Sequence, residues 1–212
     1  MILFDLDGTL VDTAPDLGYA LNLQRQRHGL PMLPDEVIRP YASHGSKGLL
    51  EIGFGLKPED QSFNSMRIEY LSLYDDVLTR APQLFDGMIE LLDEIARSGE
   101  RWGIVTNKPA RFTEPLLKSM NLYDKAACVV SGDDAIKPKP APDTLLLACQ
   151  IASVEPSSCV YVGDAERDIV AGRAAGMRTV VALYGYLSEQ DQPQRWGADV
   201  MINHPRELSI LI

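Results

Sequence analysis

Two carboxylates one residue apart, Asp5 and Asp7, stand near the start of the chain in Ile2-Leu3-Phe4-Asp5-Leu6-Asp7-Gly8-Thr9-Leu10. Like charges this close repel, and a divalent cation relieves the repulsion by taking carboxylate oxygens as ligands. Gly8 allows positive φ, and its bare backbone N–H can approach an anion. The same D-x-D-G pattern also opens calcium loops and plain turns, so the pair alone leaves its chemistry open. Three later stretches add polar groups. Thr106-Asn107 offers a hydroxyl and a backbone N–H to a phosphate oxygen, or alternatively a helix N-cap. Lys137, in Ile136-Lys137-Pro138-Lys139-Pro140, lies in a run stiffened by Pro138, Pro140 and Pro142. Such a run can fix an ammonium in place, although most lysines are simply solvated. Gly163-Asp164-Ala165-Glu166-Arg167-Asp168 sets two carboxylates four residues apart, and Asp168 also fits a helix cap.

These groups need elements to hold them. Ile2 to Phe4 is an apolar run of the kind buried in a parallel sheet, and the acidic pair follows it directly. Further strands are expected at Trp102 to Val105, Cys128 to Ser131, Cys159 to Val162, Arg178 to Ala182 and Asp199 to Ile202. Helices are expected between them, at Asp86 to Ser98, Phe112 to Met120, Pro142 to Ala152 and Asp168 to Ala175, with a last one after Pro205. Strand–helix alternation of this kind predicts an α/β fold, a doubly wound parallel sheet with helices on both faces. Ligands of such sheets sit beyond the carboxyl ends of the strands, where all four polar stretches fall.

From Gly29 to about Arg80 no strand is evident. A first helix, capped by Asp12 or Thr13 with Pro15 in its first turn, would bury Leu17, Ala20, Leu21 and Gln24 and stop at Gly29. Phe63, Met66, Tyr70, Leu73 and Val77 repeat at helical steps, and Tyr41 to Gly48 reads as a small polar loop. The organisation expected is a core of residues 1–13 and 82–212 with a helical insert at 14–81. The insert's connections, near Asp12–Pro15 and Thr79–Pro82, are candidate hinges over the acidic site.

Of the 212 residues, 45% are hydrophobic and 24% charged, which fits a folded globular chain. The net charge of −10 argues against nucleic acid and anionic membranes as partners, since both call for a basic face. An anionic substrate would need local cations, a metal or backbone N–H groups. Cys128, Cys149 and Cys159 form no C-x-x-C and lie in apolar runs, as expected of buried thiols in a reducing cytoplasm. No leader or apolar stretch of membrane-spanning length is visible. A monomer is compatible with all of this.

Taken in order, Asp5-Leu6-Asp7-Gly8-Thr9, Thr106-Asn107, Lys137 and Gly163-Asp164 with Asp168 resemble the four signatures of the haloacid dehalogenase-like superfamily of phosphatases. The resemblance covers nearly the whole chain, and the helical insert looks like that family's type 1 cap. Within the superfamily the chain is similar to the phosphoglycolate phosphatase-like branch. Val105 to Phe112, Tyr184-Gly185-Tyr186, Trp196 to Asp199 and His204-Pro205 look closest to its N-acetylmuramic acid 6-phosphate phosphatases of cell-wall recycling. The resemblance implies a phosphomonoesterase acting on a small phosphate ester. Asp5 would be the nucleophile and Asp7 the general acid and base. Mg²⁺ would be held by Asp5, Asp164 and the backbone carbonyl of Asp7. Thr106, Lys137 and the N–H groups near Gly8 and Asn107 would grip the phosphoryl oxygens, and Asp168 would orient Lys137 or a metal water. The metal-free dehalogenases lack the second Asp, which is present here as Asp7. His44 and Lys47, in the insert, could meet a substrate carboxylate. A phosphomutase using the same intermediate and a non-enzymatic binding module on the same fold are the alternatives.

Overall fold

A computed structural model describes residues 1–211, with side chains through Ser209. Its first strand, β1 (Ile2–Phe4), is fully buried. It is followed by β2 (Val11–Asp12), then by the helices α1 (Ala14–Arg27), α2 (Asp35–Ile38), α3 (Gly45–Phe54) and α4 (Phe63–Val77). The alternating part comprises β3 (Gln83–Leu84), α5 (Met88–Arg97), β4 (Trp102–Val105), α6 (Ala110–Ser119), β5 (Val129–Val130), α7 (Asp143–Ala152), β6 (Val160–Gly163), α8 (Glu166–Ala174), β7 (Arg178–Ala182) and β8 (Val200–Ile202).

Six strands form one sheet in the order β5-β4-β1-β6-β7-β8, every pairing parallel. The central strand β1 aligns Phe4 with Ile104 on one side and with Val162 on the other. Because side chains alternate across a strand, β1 serves two cores. Phe4, Ile104 and Val162 pack against Met88, Leu91 and Ile95 of α5 and Phe112 and Leu116 of α6. Leu3, Val105 and Tyr161 face the other way, onto Leu145, Ala148 and Cys149 of α7 and Ala171 of α8. The doubly wound sheet is therefore borne out. Its winding reverses at β1, which puts the crevice at the carboxyl end of that strand, where Asp5 follows Phe4.

The helical stretch packs on itself. Leu17, Ala20 and Leu21 of α1 are buried with Phe63, Tyr70 and Leu73 of α4, as their spacing predicts. The buried Gln24 amide donates to the Met66 carbonyl at 2.9 Å and to Glu69 at 3.0 Å, tying α1 to α4. β2 pairs antiparallel with β3, Val11 opposite Leu84 and Asp12 opposite Gln83, on either side of the strand-free stretch, so the two connections are zipped together. One expectation fails here. Tyr41 to Gly48 is not a loop. A 3-10 turn, Arg39–His44, runs directly into α3, which begins at Gly45. Glycine at φ +58° allows the sharp change of direction between them. The tail after Pro205 is 3-10 rather than α-helix, Pro205–Leu211; Ile212 lies outside the described residues.

Candidate active site

Four strand ends converge on Asp5, whose side chain is almost wholly buried. One carboxylate oxygen, Oδ1, receives the Leu6 N–H at 2.7 Å and the Lys139 ammonium at 2.9 Å. Lys139 has no exposed side-chain surface and also donates to Asp168 Oδ1 at 2.7 Å, to Tyr161 Oη at 2.7 Å and to the Val105 carbonyl at 3.1 Å. Burial pushes the Asp5 carboxyl above its ordinary range, and Lys139 pulls it back in part.

This corrects the expectation for Lys137, which is exposed, whereas Lys139 occupies the buried position beside Asp5. The reason lies in the loop. Asn107 grips the backbone of residue 139 with both ends of its amide: Nδ2 donates to the Lys139 carbonyl and Oδ1 receives the Lys139 N–H, each at 2.9 Å. A sequence signal for this existed. Lys139 alone of the two lysines has proline on both sides, so the backbone around it is the more restricted.

Asp164, at the end of β6, is buried against Asp5 and Asp168, and one oxygen from each of the three carboxylates lies within 4.8 Å of the others. Asp168 is the third residue of α8. It spends Oδ2 on the Ala165 N–H at 3.0 Å and Oδ1 on Lys139, so its role here is to hold Lys139 and cap α8. Asp164 is different. Its Oδ2 receives the Tyr186 N–H at 2.9 Å and the Ser43 hydroxyl at 2.8 Å, while Oδ1 is buried with no partner. Burial first, and then the charges of Asp5 and Asp168, push this carboxyl up to about 7. An unpartnered buried carboxylate oxygen facing a second carboxylate is the donor set a hard divalent cation takes.

Asp7 lies at the cavity edge, not in this buried cluster. Lys108 Nζ contacts both of its oxygens, at 2.8 and 3.1 Å, and Thr13 Oγ1 donates to Oδ1 at 2.5 Å. The Lys108 ammonium also lies 4.8 Å from the Tyr74 ring centroid. Gly8 departs from expectation. Its N–H donates to the Val11 carbonyl at 3.1 Å inside the turn and so is not free for an anion. Glycine is required there for space: at φ +84°, a Cβ would come within 2.2 Å of Asp164 Oδ2. The predicted cap of α1 is also replaced. Thr13 gives its hydroxyl to Asp7, and Tyr186 Oη, from far along the chain, receives the N–H groups of Thr13 and Ala14 at 2.7 and 2.9 Å.

A cavity of about 470 Å³ opens above Asp5 and Asp7. Thr106, Asn107 and Lys108 line it from the sheet, and His44, Ser46, Lys47, Arg67 and Tyr70 from the helical stretch. The structure thus brings His44 and Lys47 to the same cavity as the acidic pair. Lys108, Arg167, Ser43 and Tyr186 belong to the site without having been given a role from sequence; Lys108 and Tyr186 lay in stretches that carried the resemblance, and Lys108 directly follows Thr106-Asn107. The three cysteines are buried free thiols, and burial pushes Cys128 up to about 11. Among the described residues, no helix is long and apolar enough to cross a membrane.

A doubly wound sheet with four acidic or basic strand ends around one aspartate is the arrangement the sequence resemblance implied. Residues 2–182 match the family model described as haloacid dehalogenase-like hydrolase, and the chain belongs to that family. It is 41% identical over 211 residues to an N-acetylmuramic acid 6-phosphate phosphatase of Pseudomonas putida, covering 100% of this chain and 95% of that one. It is 40% identical over 207 residues to a phosphoglycolate phosphatase of Xanthomonas campestris pv. campestris, covering 98% and 93%. In fold it is similar to a crystal structure described as a predicted phosphoglycolate phosphatase from Haemophilus somnus 129pt. That match has a TM-score of 0.85 at 23% identity, over 100% of this chain and 96% of the other. These findings bear out the reading of the chain as a phosphatase-type enzyme of this family, a phosphoric monoester hydrolase.

Proposed function

We propose that the chain is a Mg²⁺-dependent phosphomonoesterase that works through a phosphoryl group on Asp5. The observation that carries this is the pairing at the cavity floor: Asp5 is held by Lys139 on one oxygen, beside the unpartnered Oδ1 of Asp164. Asp5 Oδ2 attacks phosphorus and the P–O bond to the leaving alcohol breaks, giving an aspartyl-phosphate. Asp7 gives its proton to the departing oxygen, then takes one from the water that attacks the phosphoryl group. Lys108, on both oxygens of Asp7, fixes that carboxyl toward the cavity. The Thr106 hydroxyl, in the cavity lining, donates to a phosphoryl oxygen as charge shifts there, while Lys139 holds the Asp5 carboxylate from beneath. Asp5, Asp164 and the Asp7 carbonyl would hold Mg²⁺, which would supply positive charge against the approach of two anions. Asp168 keeps Lys139 in place.

Residues 14–81 serve as the cap over this site, joined to the core of residues 1–13 and 82–212 through the β2–β3 pair. The substrate class is a carboxylated phosphate ester, with N-acetylmuramic acid 6-phosphate preferred over 2-phosphoglycolate. The relative at 41% identity supports this, and so does size. A cavity of about 470 Å³ falls in the range that takes a sugar-sized ligand, and a two-carbon acid would leave most of it to water.

The test is phosphate release from both compounds and from hexose and pentose phosphates, with Mg²⁺ and with chelator. Mg²⁺-dependent preference for the muramic compound is the expected result. Preference for 2-phosphoglycolate would overturn the substrate, and no release from any compound would overturn the hydrolase reading.

A further inference from the structure

Two hydrogen bonds join the helical stretch to the end of β6, and both involve Ser43. Its hydroxyl donates to Asp164 Oδ2 at 2.8 Å. Its carbonyl receives Arg167 Nη2 at 2.7 Å. The first bond spans 121 residues of chain and the second 124, so neither is a local turn contact. Asp164 Oδ2 also receives the Tyr186 N–H at 2.9 Å, and the other oxygen of the same carboxylate, Oδ1, is buried and bare.

We propose that Ser43 is a positioning residue for the metal ligand Asp164, so that seating of residues 39–48 against the sheet and binding of the cation favour each other. This rests on the reading of Asp164 as a Mg²⁺ ligand. The physical argument runs through one bond rotation. A carboxylate turns easily about Cβ–Cγ unless its oxygens are engaged. Two donors on Oδ2, one from the sheet and one from the helical stretch, stop that rotation and leave Oδ1 buried without a protein donor. The Tyr186 donor belongs to the sheet domain's backbone, while the Ser43 donor arrives only when the helical stretch is seated. Arg167 completes the contact from below, fixing the backbone of the residue whose hydroxyl does the orienting. The negative charges of Asp168, Asp5 and Asp164 favour its charged guanidinium. Partners that orient a metal ligand typically affect affinity by about 10–100-fold. Coupling between two binding events is reciprocal, so the cation must stabilise the seated helical stretch by the factor that seating adds to its affinity.

The test uses substrate-free protein and Mg²⁺ alone. Binding is measured by calorimetry for the unmodified chain, Ser43→Ala, Ser43→Thr and Asp164→Ala. Amide hydrogen exchange is followed at residues 39–48 with and without Mg²⁺. Ser43→Ala is expected to weaken Mg²⁺ binding about tenfold. Ser43→Thr, which keeps the hydroxyl, should recover most of the loss. Mg²⁺ should slow exchange at residues 39–48 in the unmodified chain and do so less in Ser43→Ala. If Asp164→Ala abolishes binding while Ser43→Ala binds like the unmodified chain, the positioning role is overturned and the metal reading stands. If Asp164→Ala binds Mg²⁺ normally, or the unmodified chain does not bind it, the metal reading falls and this inference with it.

Discussion

Exchange of Lys139 for methionine should abolish turnover and destabilise the fold, while the same change at Lys137 should do neither. The magnitude follows from what the ammonium touches. Lys139 Nζ lies within 3.1 Å of four oxygens, those of Asp5, Asp168, Tyr161 and Val105, with no exposed side-chain surface. Methionine keeps the apolar stem and removes the charge, leaving Asp5 and Asp168 buried without it. Removing one partner of a buried ion pair costs about 3–5 kcal/mol. For a chain of this size each kcal/mol moves Tm by about 2–4 °C, so the melt should fall by about 6–20 °C. The loss should depend on pH. Burial already lifts the Asp5 carboxyl, and losing Lys139 lifts it further. A carboxyl whose folded pKa lies above its unfolded one contributes stability at low pH and loses it as pH rises. The deficit of Lys139→Met should therefore be larger at pH 8 than at pH 5. Asp168→Asn in the same background should return part of it, because one of the two uncompensated carboxylates is then gone. Phosphate release and thermal melts at the two pH values, on both lysine variants, check the reasoning. A Lys139→Met protein that melts and turns over like its parent, or a Lys137→Met protein that does not, would refute it.

Other outcomes follow from the same geometry. Asp5→Asn should end phosphate release and leave the melt close to that of the parent or above it, since a buried charge is removed; retained release would exclude Asp5 as nucleophile. Asp7→Asn should lower kcat about 10²–10⁴-fold, and rapid-quench labelling should still find phosphate on the protein. Chelation of Mg²⁺ should lower Tm, and the benefit of Mg²⁺ should grow with pH. Asp164 titrates at about 7 in the metal-free fold, against an ordinary value of 3.8. Its raised folded pKa means that metal-free stability falls as pH climbs between those values. Melts with and without Mg²⁺ at pH 5 and 8 show this directly. Tyr186→Phe should cost about 1–3 kcal/mol in denaturant unfolding, because it strands the buried N–H groups of Thr13 and Ala14 that the hydroxyl receives.

What was legible in the sequence was whatever a strand end announces locally. Ile2 to Phe4 is apolar and Asp5 follows it, so the placement of Asp5 at a strand end needed no knowledge of the rest of the chain. The same holds for Thr106 after Trp102 to Val105 and for Asp164 just beyond the run Cys159 to Val162. The periodicity of α4 was equally plain, because Phe63, Tyr70 and Leu73 each find the core at helical spacing. Residues whose role is set by a distant partner were not legible. Nothing near Ser43 shows that its hydroxyl meets a carboxylate 121 positions away. Lys137 and Lys139 differ locally only in the proline before Lys139, and the group that clamps the Lys139 backbone, Asn107, lies 32 positions away.

Gly8 and Tyr186 show why such errors cluster at the site. The sequence offers two uses for a glycine after D-x-D: a free N–H for an anion, or room for something large. Only the fold decides, and it decides for room, since Asp164 Oδ2 occupies the place a Cβ would need. Tyr186 then makes the same crowding useful. Its backbone N–H holds the Asp164 carboxylate, while its hydroxyl caps the first helix of the insert and donates to Asp12 at 2.8 Å. One residue thus ties the connection that carries the helical stretch to the carboxylate that would carry the metal. Ser43 reaches that carboxylate from within the same stretch, just before α3. An acidic cluster this dense is stable only if each oxygen has a donor or a cation assigned to it. Asp5 Oδ1, both oxygens of Asp168 and Asp164 Oδ2 are all accounted for by protein groups. Asp5 Oδ2 and Asp164 Oδ1 have no protein donor; the first lies at the cavity floor and the second is buried, and that buried bare oxygen is the reason to expect a divalent cation there.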